Sequence, residues 1–193
     1  MVDTDIAFVL GNGKSRLKVN LFDLVDRGCI YGCNALYREF VPDVLVSTDP
    51  KISEQIQRSG YSIEHVHYTR KPLAGKGSRT IPAQPFGWSS GPVAVYLAAE
   101  KYNYIYLLGH DLSSDTDKIN NIYAGTDCYR SKNADPTYFG NWVKQLEHVF
   151  KSWPSKRFYR VYDDYCEFPD SWRQYQNIEQ LHINEFLGRI NNL

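Results

Sequence analysis

The chain has 193 residues, and 22 Lys+Arg balance 22 Asp+Glu, so it carries no formal net charge. That length suits a single domain, and the charge balance argues against a protein built for non-specific nucleic-acid binding, which carries a basic excess. Hydrophobic residues make up 42% and charged residues 23%, a globular rather than a disordered composition. Aromatics reach 15%, with 15 tyrosines, and a phenol serves a contact surface as readily as a core. No apolar run approaches the roughly 20 residues that span a bilayer. The acidic start Met1-Val2-Asp3-Thr4-Asp5 is unlike a signal peptide. Cys29, Cys33, Cys128 and Cys166 form no CxxC pair and have no adjacent His. Reduced thiols in a cytoplasmic protein are therefore expected, and a structural zinc site is not.

In chain order, Ile6-Ala7-Phe8-Val9-Leu10 is a continuous apolar run, as expected of a strand buried on both faces. It breaks at Gly11-Asn12-Gly13-Lys14-Ser15. Residues 19–25 read as a short helix, 29–34 as a second strand and 44–46 as a third, running into Ser47-Thr48-Asp49-Pro50. Residues 52–58 read as helical and 63–68 as a strand. A loop rich in Gly and Pro follows over 70–92, with Arg70, Lys71, Lys76 and Arg79 in an acid-free stretch that suits a mobile basic lid or an ordinary solvated face. Ser89 or Ser90 then caps a helix carrying Val93, Ala94, Leu97 and Ala98 on one face. Residues 104–108 form a strand ending in Gly109-His110-Asp111. The spacing predicts an amphipathic helix within 137–153, a strand over 158–162 and a terminal helix over 176–190.

Strands alternating with helical patterns predict an α/β, Rossmann-like, open and mostly parallel sheet with helices on both faces and a small lid region. One domain would span 1–193, with lid-like loops over about 70–90 and 112–137. Ligands of such sheets bind beyond the carboxyl ends of the strands, and here GNGKS, STDP and GHD all fall at strand ends.

Each strand end admits a functional and a plainer reading. Gly11, Asn12, Gly13, Lys14 and Ser15 could cradle phosphate on backbone N–H groups or simply make a tight turn. Asn34 suits a base edge or a ribose hydroxyl, and equally a turn. Asp49 could hold a metal, a ribose or the next helix's N-terminus. Ser90 and Gly91 open a helix whose dipole favours an anion. His110 is a near-neutral proton carrier or a structural imidazole. The Asp115-Thr116-Asp117 triplet has the letters of a metal motif and reads as a solvated turn.

The order G-x-G-K-S, C-N, S-S-G and G-x-D, covering about residues 6–162, resembles a Rossmann-like group. That group includes the bacterial sialyltransferases of glycosyltransferase family 42, the motility-accessory-factor flagellin glycosyltransferases and the archaeal 6-hydroxymethylpterin pyrophosphokinases. Compact phage-encoded relatives look similar, which would place the protein in a host cytoplasm. The resemblance implies a CMP-sugar lying across the strand ends. Gly11, Asn12 and Gly13 would meet phosphate and ribose, Asn34 ribose or phosphate, and Ser90 and Gly91 base or phosphate. Lys14 takes the place of the group's Pro, and Asp49 that of its Asn before Pro. The sialyltransferases' catalytic His would fall near Thr137, where this chain has none, so Asp111, His110 or Asp49 would take the proton. Tyr123, Tyr129 and Tyr138 would supply the phenols that help the phosphate depart, together with Lys14 and Arg16.

The leading expectation is a nucleotide-sugar-dependent glycosyltransferase, needing no cofactor, that acts on a hydroxyl of a glycan, a protein or a modified DNA base. One alternative is pyrophosphoryl transfer from ATP to a small alcohol, with Mg²⁺ between Asp49 and Asp111. Another is a non-catalytic nucleotide-binding module. An oligomer is compatible with either.

Overall fold

The run Ile6–Leu10 alternates its side chains between two apolar layers, and this decides the architecture. Ala7 and Val9 pack with Val93, Ala94, Leu97, Leu146, Val149 and Phe150. Phe8 and Leu10 pack on the opposite side with Ile52, Ile56, Phe186 and Ile190. A strand apolar on both faces lies at the centre of a helix-covered sheet, and each large side chain so buried contributes roughly 1.5–3 kcal/mol.

The computed structural model describes residues 5–114 and 116–191. Its strands are β1 (Ile6–Leu10), β2 (Cys29–Cys33), β3 (Val44–Ser47), β4 (His67–Thr69), β5 (Arg79–Thr80), β6 (Tyr104–Leu108), β7 (Arg157–Tyr162) and β8 (Ile178–His182). They form one 8-stranded sheet in the order β5-β4-β3-β2-β1-β6-β7-β8, and every pairing is parallel. The helices are α1 (Pro50–Arg58), α2 (Tyr61–Glu64), α3 (Ser90–Ala99), α4 (Gly140–Ser152) and α5 (Ile183–Ile190). Helices α3 and α4 cover one face, and α1 and α5 the other. The α/β Rossmann-like reading is therefore correct.

From β1 the chain steps outward to β5, then returns to the other side of β1 as β6. Connections thus leave β1 and β6 in opposite directions, which opens a crevice at their carboxyl ends.

Four elements differ from the sequence reading, one of them the short β5, which lies inside the stretch 70–92 read as a loop. Residues 19–25 are not one helix; 3₁₀ turns cover Lys14–Lys18 and Leu21–Leu24. The predicted strand over 63–68 splits into α2 and the short β4. The predicted terminal helix is in its first half the strand β8. Ile178 and Leu181, three residues apart, mimic a helical face, yet they lie in opposite core layers, as a strand's period of two requires. Asp115, the first residue of the DTD triplet, and Met1–Thr4 lie outside the described residues. No described helix is long and apolar enough to cross a membrane.

Candidate functional site

The crevice is a cleft of about 590 Å³, a size that suits a small-molecule ligand such as a nucleotide. Its floor comes from the segments that follow β1 and β6. Its walls come from the ends of β2 and β3, the start of α3, the loop over 112–130 and the first turn of α4.

The floor is rigid. The Gly11 amide donates to the Leu108 carbonyl and the Gly13 amide to the Gly109 carbonyl, both at 2.8 Å. The Lys14 amide donates to Asn120 Oδ1 at 2.8 Å, and the Ser15 amide to Asp111 Oδ2 at 3.1 Å. Four of the five N–H groups read from sequence as a phosphate cradle, those of Gly11, Gly13, Lys14 and Ser15, are therefore spent inside the protein. Gly13 is demanded by this packing, because a Cβ there would stand 2.4 Å from Asp111 Oδ2. Gly109 turns the chain with φ +68, and Leu112 just beyond sits at φ 53, a strained conformation that is costly for such a side chain.

Asp111 is the hub of this floor. It is buried and accepts from Ser15 Oγ, from Asn120 Nδ2 at 2.9 Å and from the Tyr165 hydroxyl at 2.7 Å. Burial and the Asp111 carboxylate raise the Tyr165 phenol pKa, so the phenol remains the donor. Beneath it the fully buried Arg160 donates to the carbonyls of His110 and Asp111. A carboxylate held by so many donors is a scaffold.

His110 is wedged between two glycine backbones. A Cβ on Gly11 would lie 3.1 Å from its Cδ2, and a Cβ on Gly91 would lie 3.1 Å from its Cε1. Burial lowers its pKa to about 4, so the imidazole is neutral. Its Nε2 is buried and without a hydrogen-bond partner among the described residues, as is Asn12 Oδ1.

The walls offer open polar groups. Ser90 Oγ donates to Asn34 Oδ1 at 2.8 Å and accepts from the Thr48 amide at 3.0 Å. That bond fixes the Asn34 carboxamide with its oxygen inward, leaving its NH₂ as a donor. Asn34 adopts φ 53, a conformation Asn tolerates. At the start of α3 the Ser89 amide donates to Gln145 Oε1 and Ser89 Oγ accepts from Trp142 Nε1. The next amides, of Ser90 and Gly91, make no hydrogen bond to the described residues. The helix N-terminus thus presents unpaired N–H groups and its positive dipole end to the cleft. Asp49 stands exposed at the end of β3. It occupies the N-cap of α1, but its side chain makes no cap hydrogen bond. Tyr138, Phe139 and Trp142 form an aromatic rim, with Tyr138 73% exposed.

Of the residues nominated from sequence, the cleft is lined by Gly11, Asn12, Gly13, Asn34, Asp49, Ser90, Gly91, His110, Asp111, Tyr129 and Tyr138, and by Thr137 at the sialyltransferases' His position. Lys14 and Ser15 do not line it. Tyr123 also lies outside: its hydroxyl accepts from Arg16 Nη2 at 2.9 Å and donates to Glu39. Arg16 is spent there as well, on Glu39 and on the Gly11 carbonyl. Tyr129 is half-engaged, accepting from the Ala35 amide at 3.2 Å. Asn120, Tyr165 and Arg160 carry the floor without having been singled out. They lie in loops or a strand where no periodic pattern or motif marks a polar network.

No protein-family model and no curated protein matches the sequence. Solved structures do match. The monofunctional alpha-2,3-sialyltransferase Cst-I from Campylobacter jejuni is 13% identical, with TM-score 0.54 over 91% of this chain and 81% of that one. An alpha-2,3-sialyltransferase from Campylobacter jejuni in apo form is 14% identical, with TM-score 0.51 over 93% of this chain and 84% of that one. The chain is therefore similar in fold to sialyltransferases.

Proposed function

We propose that the protein is a nucleotide-sugar-dependent glycosyltransferase that moves a sugar to a hydroxyl acceptor. The observation that carries this reading is the unpaired N-terminus of α3, whose Ser90 and Gly91 amides face the cleft at the switch between β1 and β6. Such a terminus holds phosphate. It also stabilises the charge that grows there as the sugar–phosphate bond breaks.

In this reading the nucleotide phosphate sits at α3, and the Asn34 NH₂ meets the ribose or phosphate. Tyr129 and Tyr138 flank the departing group. The acceptor oxygen attacks the anomeric carbon while the carbon–oxygen bond to phosphate breaks; the nucleotide leaves with that electron pair, and the acceptor's hydroxyl proton passes to the departing phosphate oxygen or to water. His110 and Asp111 build the floor. The fold shared with sialyltransferases supports the reaction class, and the activity of those enzymes suggests a sugar donor for this chain too.

Thermal-shift titration with CMP, UDP, GDP and ATP, each with and without Mg²⁺, tests the reading. Stabilisation by a nucleoside mono- or diphosphate without Mg²⁺ is expected. Stabilisation by Mg·ATP alone would replace glycosyl transfer with pyrophosphoryl transfer to a small alcohol.

A further inference from the structure

The charges lining the cleft are few. Among the described residues they are Asp49, Asp111 and Arg130, together with the neutral His110. Asp111 has its oxygens filled by Ser15, Asn120 and Tyr165. Arg16 is held by Glu39, Arg38 by Gln55 and Thr126, and neither they nor Lys51 line the cleft. In the proposed reading the nucleotide phosphate sits at the α3 N-terminus, and Asp49, which lines the same cleft, is the open carboxylate left to meet the rest of the ligand.

The Asp49 carboxylate has no hydrogen bond, ion pair or cap contact to the described residues; only its backbone carbonyl is engaged, accepting from the Ser53 amide. A carboxylate accepts hydrogen bonds and donates none. Its natural ligands are O–H and N–H groups, above all a pair of neighbouring hydroxyls or an ammonium. A second carboxylate beside it would meet like charge, and among the described residues Arg130 is the one cation that lines the cleft.

We infer that Asp49 reads the transferred sugar, and that this sugar is neutral or amino-bearing rather than acidic. The inference rests on the nucleotide-sugar reading and narrows it, since it separates this chain from enzymes that carry a sugar acid.

Calorimetric binding of matched ligands tests it: UDP, UDP-glucose, UDP-glucosamine and UDP-glucuronate; GDP, GDP-mannose and GDP-mannuronate; CMP and CMP-sialate. Each is measured with the unaltered chain and with Asp49→Asn. Within whichever base binds, the acid-bearing ligand should bind at least about tenfold more weakly than its neutral partner, or than CMP in the cytidine pair. Asp49→Asn should bring the two within about threefold and leave free-nucleotide affinity unchanged. Equal or tighter binding of the acid sugar by the unaltered chain overturns the inference. An equal loss of free-nucleotide affinity in Asp49→Asn also overturns it, because Asp49 would then be reading the ribose. Binding of no nucleotide at all sinks the parent reading and this inference with it, whereas nucleotide binding without sugar discrimination sinks only the inference.

Discussion

The strands β6 and β3 both end in an aspartate at the cleft, and the two carboxylates have opposite fates. Asp111 is buried and held by Ser15, Asn120 and Tyr165, with Arg160 clamping its carbonyl. The Asp49 carboxylate is exposed and holds nothing among the described residues. The first ties the loop after β1 to the loop after β6 and so fixes the floor. The second leaves its lone pairs to a ligand. A carboxylate at a strand end is therefore a scaffold or a contact according to how many donors the fold aims at it.

The sharpest test of that contrast is removal of the hub. Asp111→Ala strands the Ser15, Asn120 and Tyr165 donors in a buried site and should cost about 4 kcal/mol, measured by urea unfolding. A loss under about 1 kcal/mol would show that Asp111 is not the clamp its contacts describe.

A second test works through pH. Burial lowers His110 to about 4, and burial likewise lowers His67 to about 4. The ordinary histidine pKa is 6.5, so between that value and 4 the unfolded chain binds more protons than the folded one. Stability should fall as pH drops through this window, by about 2 kcal/mol per histidine from pH 7 to pH 5. His67→Gln should flatten the slope by one histidine's share, leaving that of His110. A slope unchanged in that variant would show that His67 is not held neutral.

The sequence disclosed the strand ends but not their wiring. A buried parallel strand announces itself as a continuous apolar run, so β1, β2, β3, β6 and β7 were legible, and with them the GNGKS, Cys33-Asn34, STDP and GHD segments at their ends. Whether a polar group there is free depends on partners far along the chain. Asp111 meets Ser15 across 96 residues and Tyr165 across 54, and no local pattern encodes such a pairing. The same blindness made Arg16 and Tyr123 look like cleft residues, when Glu39 claims both. The edge strand β8 was lost for a different reason, because an i, i+3 apolar pair satisfies either period.

Tyr123→Phe measures that last correction. It removes the hydroxyl that bonds Arg16 and Glu39, while Arg16 keeps Glu39 and the Gly11 carbonyl. The cost should be about 1 kcal/mol, with stabilisation by nucleotide the same as in the unaltered chain. Loss of nucleotide stabilisation would return Tyr123 to the cleft.

The smallest effect completes the contrast. An aspartate at a helix N-cap normally accepts a bond from the first turn, and its replacement by Ala costs about 1 kcal/mol. Asp49 occupies that position before α1, yet its carboxylate caps nothing. Asp49→Ala should therefore change unfolding free energy by no more than about 0.5 kcal/mol, the residue of a lost charge near the helix dipole. If instead the substitution costs as much as an ordinary cap, the carboxylate turns inward to α1 in solution and is not the cleft's open acceptor. A near-zero change would mean that Asp49 contributes nothing to holding α1. The fold would then gain no stability from leaving this carboxylate uncommitted at the mouth of the cleft, and a ligand would be its remaining use.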